Sequence, residues 1–208
     1  MKILVIGGTH GIGLKVVEEA LVAGHAVTVL ARNPDKIKIK DENLRVTKGD
    51  VLDPAAVESA VRDQEIVCLS LGVKTIMPVI VFSEGTKNTI EAMKKNGARL
   101  LIAITGIGAG DSRGHGGFFY DKLLLPLLLK RAYADKDLQE ELIRASDLDW
   151  IIVRPGALTN GPATGKYRAI TDLAGVKAGK ISRSDVAHFM LEQAKSPTFL
   201  HKTPLLTY

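Results

Sequence analysis

Gly7-Gly8-Thr9-His10-Gly11-Ile12-Gly13 follows a short apolar run at residues 2–6 and opens an apolar-periodic stretch at residues 12–23. A glycine-rich turn between a strand and a helix suits a dinucleotide pyrophosphate. That group needs a tight reversal, a place where backbone approaches without a Cβ, and free N–H groups at a helix N-terminus. Gly7 is expected to make the turn, Gly11 the close approach, and Gly13 the contact of helix on strand. Thr9 and Ile12 count among the cofactor contacts of the same loop. The spacing G-x-x-x-G-x-G differs from the commoner G-x-G-x-x-G. His10 is either a phosphate contact or a solvent-exposed residue. It has no second His, Cys or carboxylate at ligand spacing, so no metal site is expected.

The end of the second strand decides between NAD and NADP. An acid there would hold the 2′-hydroxyl and repel a 2′-phosphate. The sequence reads Val29-Leu30-Ala31-Arg32-Asn33, with no acid before Asp35. Arg32 offers a planar charged fork for a phosphate and a face for adenine, and Lys36 stands near enough in sequence to assist. NADP is therefore expected in preference to NAD. Gly49-Asp50-Val51 follows the third strand, where Asp50 is either an acceptor for the adenine amino group or a turn residue. Ser70-Leu71-Gly72 closes the fourth strand and lets backbone pass beside a ribose.

These residues are carried by short β-branched runs alternating with longer helical stretches. Strands are predicted at residues 2–6, 26–30, 45–47, 66–70, 100–104 and 150–153. Helices are predicted at 12–23, after Asp53-Pro54, at 78–95, at 133–145 with Leu138, Leu142 and Ile143 on one face, and from Ser184-Asp185 to 194. Strands apolar along their whole length belong to a parallel sheet covered on both faces. The rhythm breaks after Val153: residues 154–180 are rich in Gly, Pro and Thr, with a strand-like 167–170 inside them. An edge strand is possible at 204–207. The fold class is thus α/β: a doubly wound parallel sheet of the Rossmann kind, with helices on both faces and an irregular C-terminal cap. Residues 1–208 read as a single NAD(P)-binding domain.

Composition agrees. The 208 residues are 46% apolar and 25% charged, which excludes a disordered or collagen-like chain. The 28 basic residues are interspersed with 23 acidic ones, and aromatics make up only 5%, so no nucleic-acid partner is expected. No stretch approaches the roughly 18 apolar residues of a membrane span, and none is expected at a membrane. The leucine-rich run at 123–129 contains Pro126 and reads first as core packing, then as a pocket lid or dimer contact. The lone cysteine, Cys68, sits in an apolar run and is expected to be buried and inert. The expected address is the cytoplasm, and the expected state a monomer or homodimer.

The chain resembles the atypical short-chain dehydrogenase/reductase-like NAD(P)-binding proteins, in the branch of biliverdin reductase B (flavin reductase) and bacterial NAD(P)H-binding reductases. The resemblance rests on the glycine turn and on Val27-Thr28-Val29-Leu30-Ala31-Arg32, Gly49-Asp50-Val51 and Ser83-Glu84-Gly85-Thr86-Lys87-Asn88. Further matches are Asp149-Trp150-Ile151-Ile152-Val153-Arg154-Pro155-Gly156 and Ile181-Ser182-Arg183-Ser184-Asp185-Val186-Ala187. It implies that Arg32 meets the 2′-phosphate, that Leu71 and Gly72 lie along the cofactor, and that Lys74 reaches toward a phosphate. It implies further that Thr105 stands near the nicotinamide, and that Pro155, Gly156 and Ala157 border its other side. Residues 105–117 and 158–167 would frame the substrate. Two departures stand out: Gly106 where relatives carry a serine, and His10 where they carry glycine.

Ketone-reducing members of the wider family use Tyr-x-x-x-Lys, a tyrosine acid assisted by a lysine. Position i+4 is Leu124 after Tyr120, Asp137 after Tyr133 and Thr171 after Tyr167, so that pair is absent. Lys136, one turn after Tyr133, is by resemblance a ligand of the nicotinamide ribose, or else a solvated charge; His115 in Gly114-His115-Gly116-Gly117 is a weaker proton donor. No catalytic side chain is unmistakable. The expected activity is an NADPH-dependent reductase passing hydride to a planar or anionic acceptor such as a flavin, biliverdin-like or quinone molecule, a transfer that needs no dedicated acid. The alternative is a catalytically silent NADP-binding sensor.

Overall fold

Strand residues apolar on both sides need cover on both sides, and the computed structural model supplies it. It describes residues 1–73, 80–117, 121, 123 and 129–208. Ten strands alternate with five helices among them. In chain order they are β1 (Lys2–Ile6), α1 (Gly11–Val22), β2 (Ala26–Ala31), β3 (Leu44–Lys48), α2 (Pro54–Val61) and β4 (Ile66–Leu69). Next come α3 (Val81–Asn96), β5 (Leu100–Ile104), α4 (Lys130–Arg144), β6 (Asp149–Pro155), β7 (Ala157–Thr159) and β8 (Arg168–Ile170). The series closes with β9 (Lys180–Ser182), α5 (Arg183–Lys195) and β10 (Leu205–Thr207).

The main sheet runs β3-β2-β1-β4-β5-β6-β10-β8. Its pairs are parallel except β10 with β8. Register places Val5 opposite Val29 on one side and Cys68 on the other. Alternate residues serve opposite faces, as the period of a strand requires. Ile3, Val5, Val29, Ile102 and Val153 pack with Val16, Val17, Phe189 and Met190 of α1 and α5. Leu4, Ile6, Val67, Leu101 and Ile152 pack with Val57, Met93 and Ile143 of α2, α3 and α4. Each such side chain contributes about 1.5–3 kcal/mol by leaving water. The chain departs from β1 toward β3 in one direction and toward β6 in the other, so a crevice opens beyond the strand ends between β1 and β4.

Local signals explain most boundaries. Asp53 caps α2 by accepting from the Ala55 N–H at 3.0 Å, with Pro54 in the first turn. Gly97, at φ +74°, closes α3 in the left-handed conformation. Four expectations need correction. First, α5 starts at Arg183, because Ser182 is the N-cap and accepts from the Asp185 N–H at 2.9 Å. Second, α3 starts at Val81; residue 78 lies outside the described residues. Third, β10 is not an edge strand, since β8 returns antiparallel and covers it. Fourth, Leu138 is half-exposed, because α4 turns Asp135, Gln139 and Glu140 inward instead. The second, two-stranded sheet of β7 and β9 stands over the strand ends as part of the expected cap. The leucine-rich run falls, apart from Leu123 and Leu129, outside the described residues. Among the described residues no helix is long and apolar enough to cross a membrane.

Candidate active site

The glycine turn is fixed by steric demands. Gly7 has φ +90°, and a Cβ there would lie 2.1 Å from the Ser70 carbonyl oxygen, so β1 and β4 approach as only glycine permits. A Cβ on Gly13 would stand 2.3 Å from the Gly7 carbonyl oxygen, which lets α1 rest on the turn. Gly11, at φ +61°, has no neighbour nearer its absent Cβ than Arg183 Nε at 4.0 Å. The first turn of α1 is therefore open toward solvent space, with no acid in it and no side-chain cap from His10. The first N–H groups of the helix lack intrahelical partners, an arrangement that suits an anion.

Two cavities meet at this turn and share a wall of His10 and Ser70-Leu71-Gly72-Val73. One, about 640 Å³, is lined by Gly7, Thr9, Ala31, Arg32, Asn33, Lys36, Gly49, Asp50 and Val51. Asp50 also serves as a turn residue, since its Oδ1 accepts from the Leu52 N–H at 3.0 Å. The segment 83–88 supports this wall. Gly85 lets α3 come against Val51 and Leu71, where a Cβ would stand 2.9 Å from a Val51 methyl. Asn88 Nδ2 donates to the Val51 carbonyl at 3.0 Å.

The other cavity, about 590 Å³, is lined by Gly11, Ile12, Thr105, Gly106, Tyr133, Lys136, Pro155, Gly156, Ala157, Leu158 and Arg183. Lys136 Nζ donates to the Thr105 carbonyl oxygen and lies 4.9 Å from the Phe82 ring centre and 5.4 Å from that of Tyr133. Burial pushes its ammonium down to about 8, against the opposing pull of Glu140. Gly106 stands at φ +140°, and a Cβ there would meet the Tyr133 hydroxyl at 2.9 Å and Lys136 Nζ at 3.8 Å. A serine at 106 would thus collide with the very hydroxyl that occupies its place. The lysine follows Tyr133 at i+3 rather than i+4, a spacing that still puts both on one helix face.

Behind Thr105 lies a buried polar assembly. Arg154, fully buried, donates through Nε to Glu140 Oε1 at 2.9 Å and through Nη2 to Oε2 at 2.5 Å. Thr105 Oγ1 donates to Glu140 Oε1 at 2.7 Å. Arg154 Nη1 meets Asp111 Oδ1 at 2.6 Å, as an ion pair rather than an aligned hydrogen bond. Burial alone would push the Arg154 guanidinium down, but its hydrogen bonds to Glu140 and the negative charges of Glu140 and Asp111 hold it up. On the same helix, Asp135 accepts from the Phe82 N–H at 2.8 Å and from Ser83 Oγ, capping α3 from outside. Gln139 Nε2 donates to Thr86 Oγ1 at 3.1 Å.

Of the residues singled out in the sequence, Gly13 lies behind the turn, and Lys74 falls outside the described residues. His115 does not line either cavity: its Nδ1 is 2.8 Å from the Val176 carbonyl oxygen, and its own carbonyl accepts from the Ala178 N–H. The rest line one cavity or the other. Among the described residues no cluster of His, Cys, Asp and Glu is fit to hold a metal. Cys68 is buried, and burial pushes its thiol up to about 12.

The family model described as NAD(P)H-binding matches residues 7–197, and the chain belongs to that family. A 3-diazoavenalumate denitrifying reductase from a Streptomyces species is 32% identical over 198 residues, covering 87% of this chain and 64% of that protein. The structure of ChuY, an anaerobillin reductase from Escherichia coli O157:H7, superposes with TM-score 0.84 at 25% identity, covering 100% of this chain and 97% of that one. A short-chain dehydrogenase/reductase from Veillonella parvula solved with NADP shares the fold at TM-score 0.81 and 19% identity, over 100% of this chain and 94% of that one. The protein is an NAD(P)H-binding protein of Rossmann fold.

Proposed function

We propose that the protein is an NADPH-dependent reductase that passes hydride to a planar acceptor of the flavin, biliverdin-like or quinone class. The observation that carries this reading is the shared wall between two cavities. One extended ligand can lie with its adenosine beside Arg32 and its reactive end beside Thr105. The open cradle at Gly11 suits a pyrophosphate, and Arg32, Asn33 and Lys36 suit a 2′-phosphate better than a 2′-hydroxyl. A dihydronicotinamide, when bound, supplies the hydride. Thr105 and Lys136, with Gly156 and Ala157 opposite, orient that end and exclude water. An acceptor that also takes up a proton finds the Tyr133 hydroxyl and the Lys136 ammonium on the same cavity wall. The neighbour that reduces anaerobillin supports an acceptor of tetrapyrrole kind.

The test is a titration of NADPH and NADH into the wild type and Arg32→Ala, followed by NADPH oxidation with FMN, biliverdin and a quinone. Wild type should prefer NADPH, and Arg32→Ala should lose about tenfold to a hundredfold of that affinity, as a charge-assisted hydrogen bond of about 1.5–3 kcal/mol predicts. Binding to NADH should not change. Equal affinity for both cofactors would remove the role given to Arg32. Tight binding without oxidation by any acceptor would favour the silent sensor instead.

A further inference from the structure

We propose that Arg183 contacts the cofactor pyrophosphate and thereby ties the roof of the acceptor cavity to the bound cofactor. The inference rests on the cofactor reading above and adds a residue to it. The first turn of α5 holds the segment 157–165, whose Ala157 and Leu158 line the acceptor cavity and form its roof. β7 pairs with β9 immediately before that helix. Ser182 Oγ donates to the Pro162 carbonyl at 3.0 Å, and Asp185 Oδ1 accepts from the Thr164 and Gly165 N–H groups at 2.7 and 2.9 Å. Arg183 belongs to the same turn. Its Nη1 donates to Asn160 Oδ1 at 2.7 Å and to the Thr159 carbonyl at 3.2 Å, while its Nε side faces Gly11.

Among the described residues Arg183 has no acidic partner, and it stands beside the open N-terminus of α1, which has no acid in its first turn. A guanidinium held against the positive end of a helix is unfavourable until an anion lies between them. A dinucleotide pyrophosphate fills that gap, meeting backbone N–H groups on one side and the guanidinium on the other. Cofactor binding then fixes residues 157–165.

The probes are NADPH and 2′-AMP, which carries the 2′-phosphate but no pyrophosphate. Arg183→Gln should weaken NADPH about tenfold and leave 2′-AMP unchanged, with Arg183→Lys between the two. In the wild type, NADPH should slow amide hydrogen exchange across residues 157–165, 2′-AMP should not, and Arg183→Gln should lose the slowing. Unchanged 2′-AMP binding doubles as the check that the variant folds. Wild-type NADPH affinity in Arg183→Gln, or roof protection that survives the substitution, overturns the proposal. Failure of the wild type to bind either probe instead brings down the cofactor reading itself.

Discussion

The two cavities are built by different means. The cavity beside Arg32 is made largely of backbone: glycines at strand ends, a helix N-terminus, and one exposed guanidinium that needs no support. The cavity beside Thr105 is made of side chains that must be held in place, by an ion pair and hydrogen bonds joining α4 to the ends of β5 and β6. The first kind of site is restricted at its glycines and depends otherwise on the charge of Arg32. The second kind depends on a polar cluster that is costly to disturb.

The largest effect should follow from Glu140→Ala. It leaves the buried Arg154 guanidinium with the exposed Asp111 as its remaining acidic contact, and a buried pair that loses one member costs about 3–5 kcal/mol. Denaturant unfolding would show it, and the double variant Glu140→Leu with Arg154→Met should recover most of the loss while still misplacing Thr105. Recovery of stability without recovery of turnover would sharpen the contrast between the cavities; recovery of both would break it. Next comes Gly7→Ala, in which a Cβ meets the Ser70 carbonyl in a left-handed conformation. The strain of such a backbone is about 1–3 kcal/mol, and isothermal titration should show NADPH affinity falling with it.

The smallest effect is a pH dependence. The Lys136 ammonium, pushed down to about 8 by burial, is charged below that pH and neutral above it. If it assists proton delivery beside Tyr133, turnover falls as pH rises through about 8, and Lys136→Met gives a low, flat profile. A loss of about tenfold, or about 1.4 kcal/mol in the barrier, is expected at neutral pH. The same depression acts on stability in the opposite sense. An unfolded lysine keeps its proton to higher pH, so the native state gains stability as pH rises from about 8 toward the ordinary lysine range. A wild-type profile that does not bend near 8 would detach Lys136 from proton transfer.

The contrast also decides what could be read in the sequence. Gly7 and Gly13 announce themselves because a steric demand restricts the position to one residue type, and the neighbouring strand and helix patterns place it. Arg32 is legible because it stands at a fixed offset from the second strand. Arg154 and Glu140 are not, because their partnership spans two elements, and a charged residue in an apolar run or a charged helix gives no sign of which partner it meets. Leu138 misleads for the same reason: the helical period points to an apolar stripe, while the helix buries Asp135, Gln139 and Glu140, whose hydrogen bonds offset their desolvation. Tyr133 is half legible: the lysine one turn after it is plain in the sequence, while the place of its hydroxyl beside Gly106 is not.

Cys68 brings a different kind of consequence. It occupies the middle of β4, paired with Val5 on one side and Ile102 on the other, and it is the only thiol in the chain. A thiol-reactive dye cannot reach it until the centre of the sheet comes apart, so the rate of labelling reports opening of the whole structure rather than fraying of loops. The molecule thus carries its own clock for global unfolding, one that leaves both cavities chemically untouched.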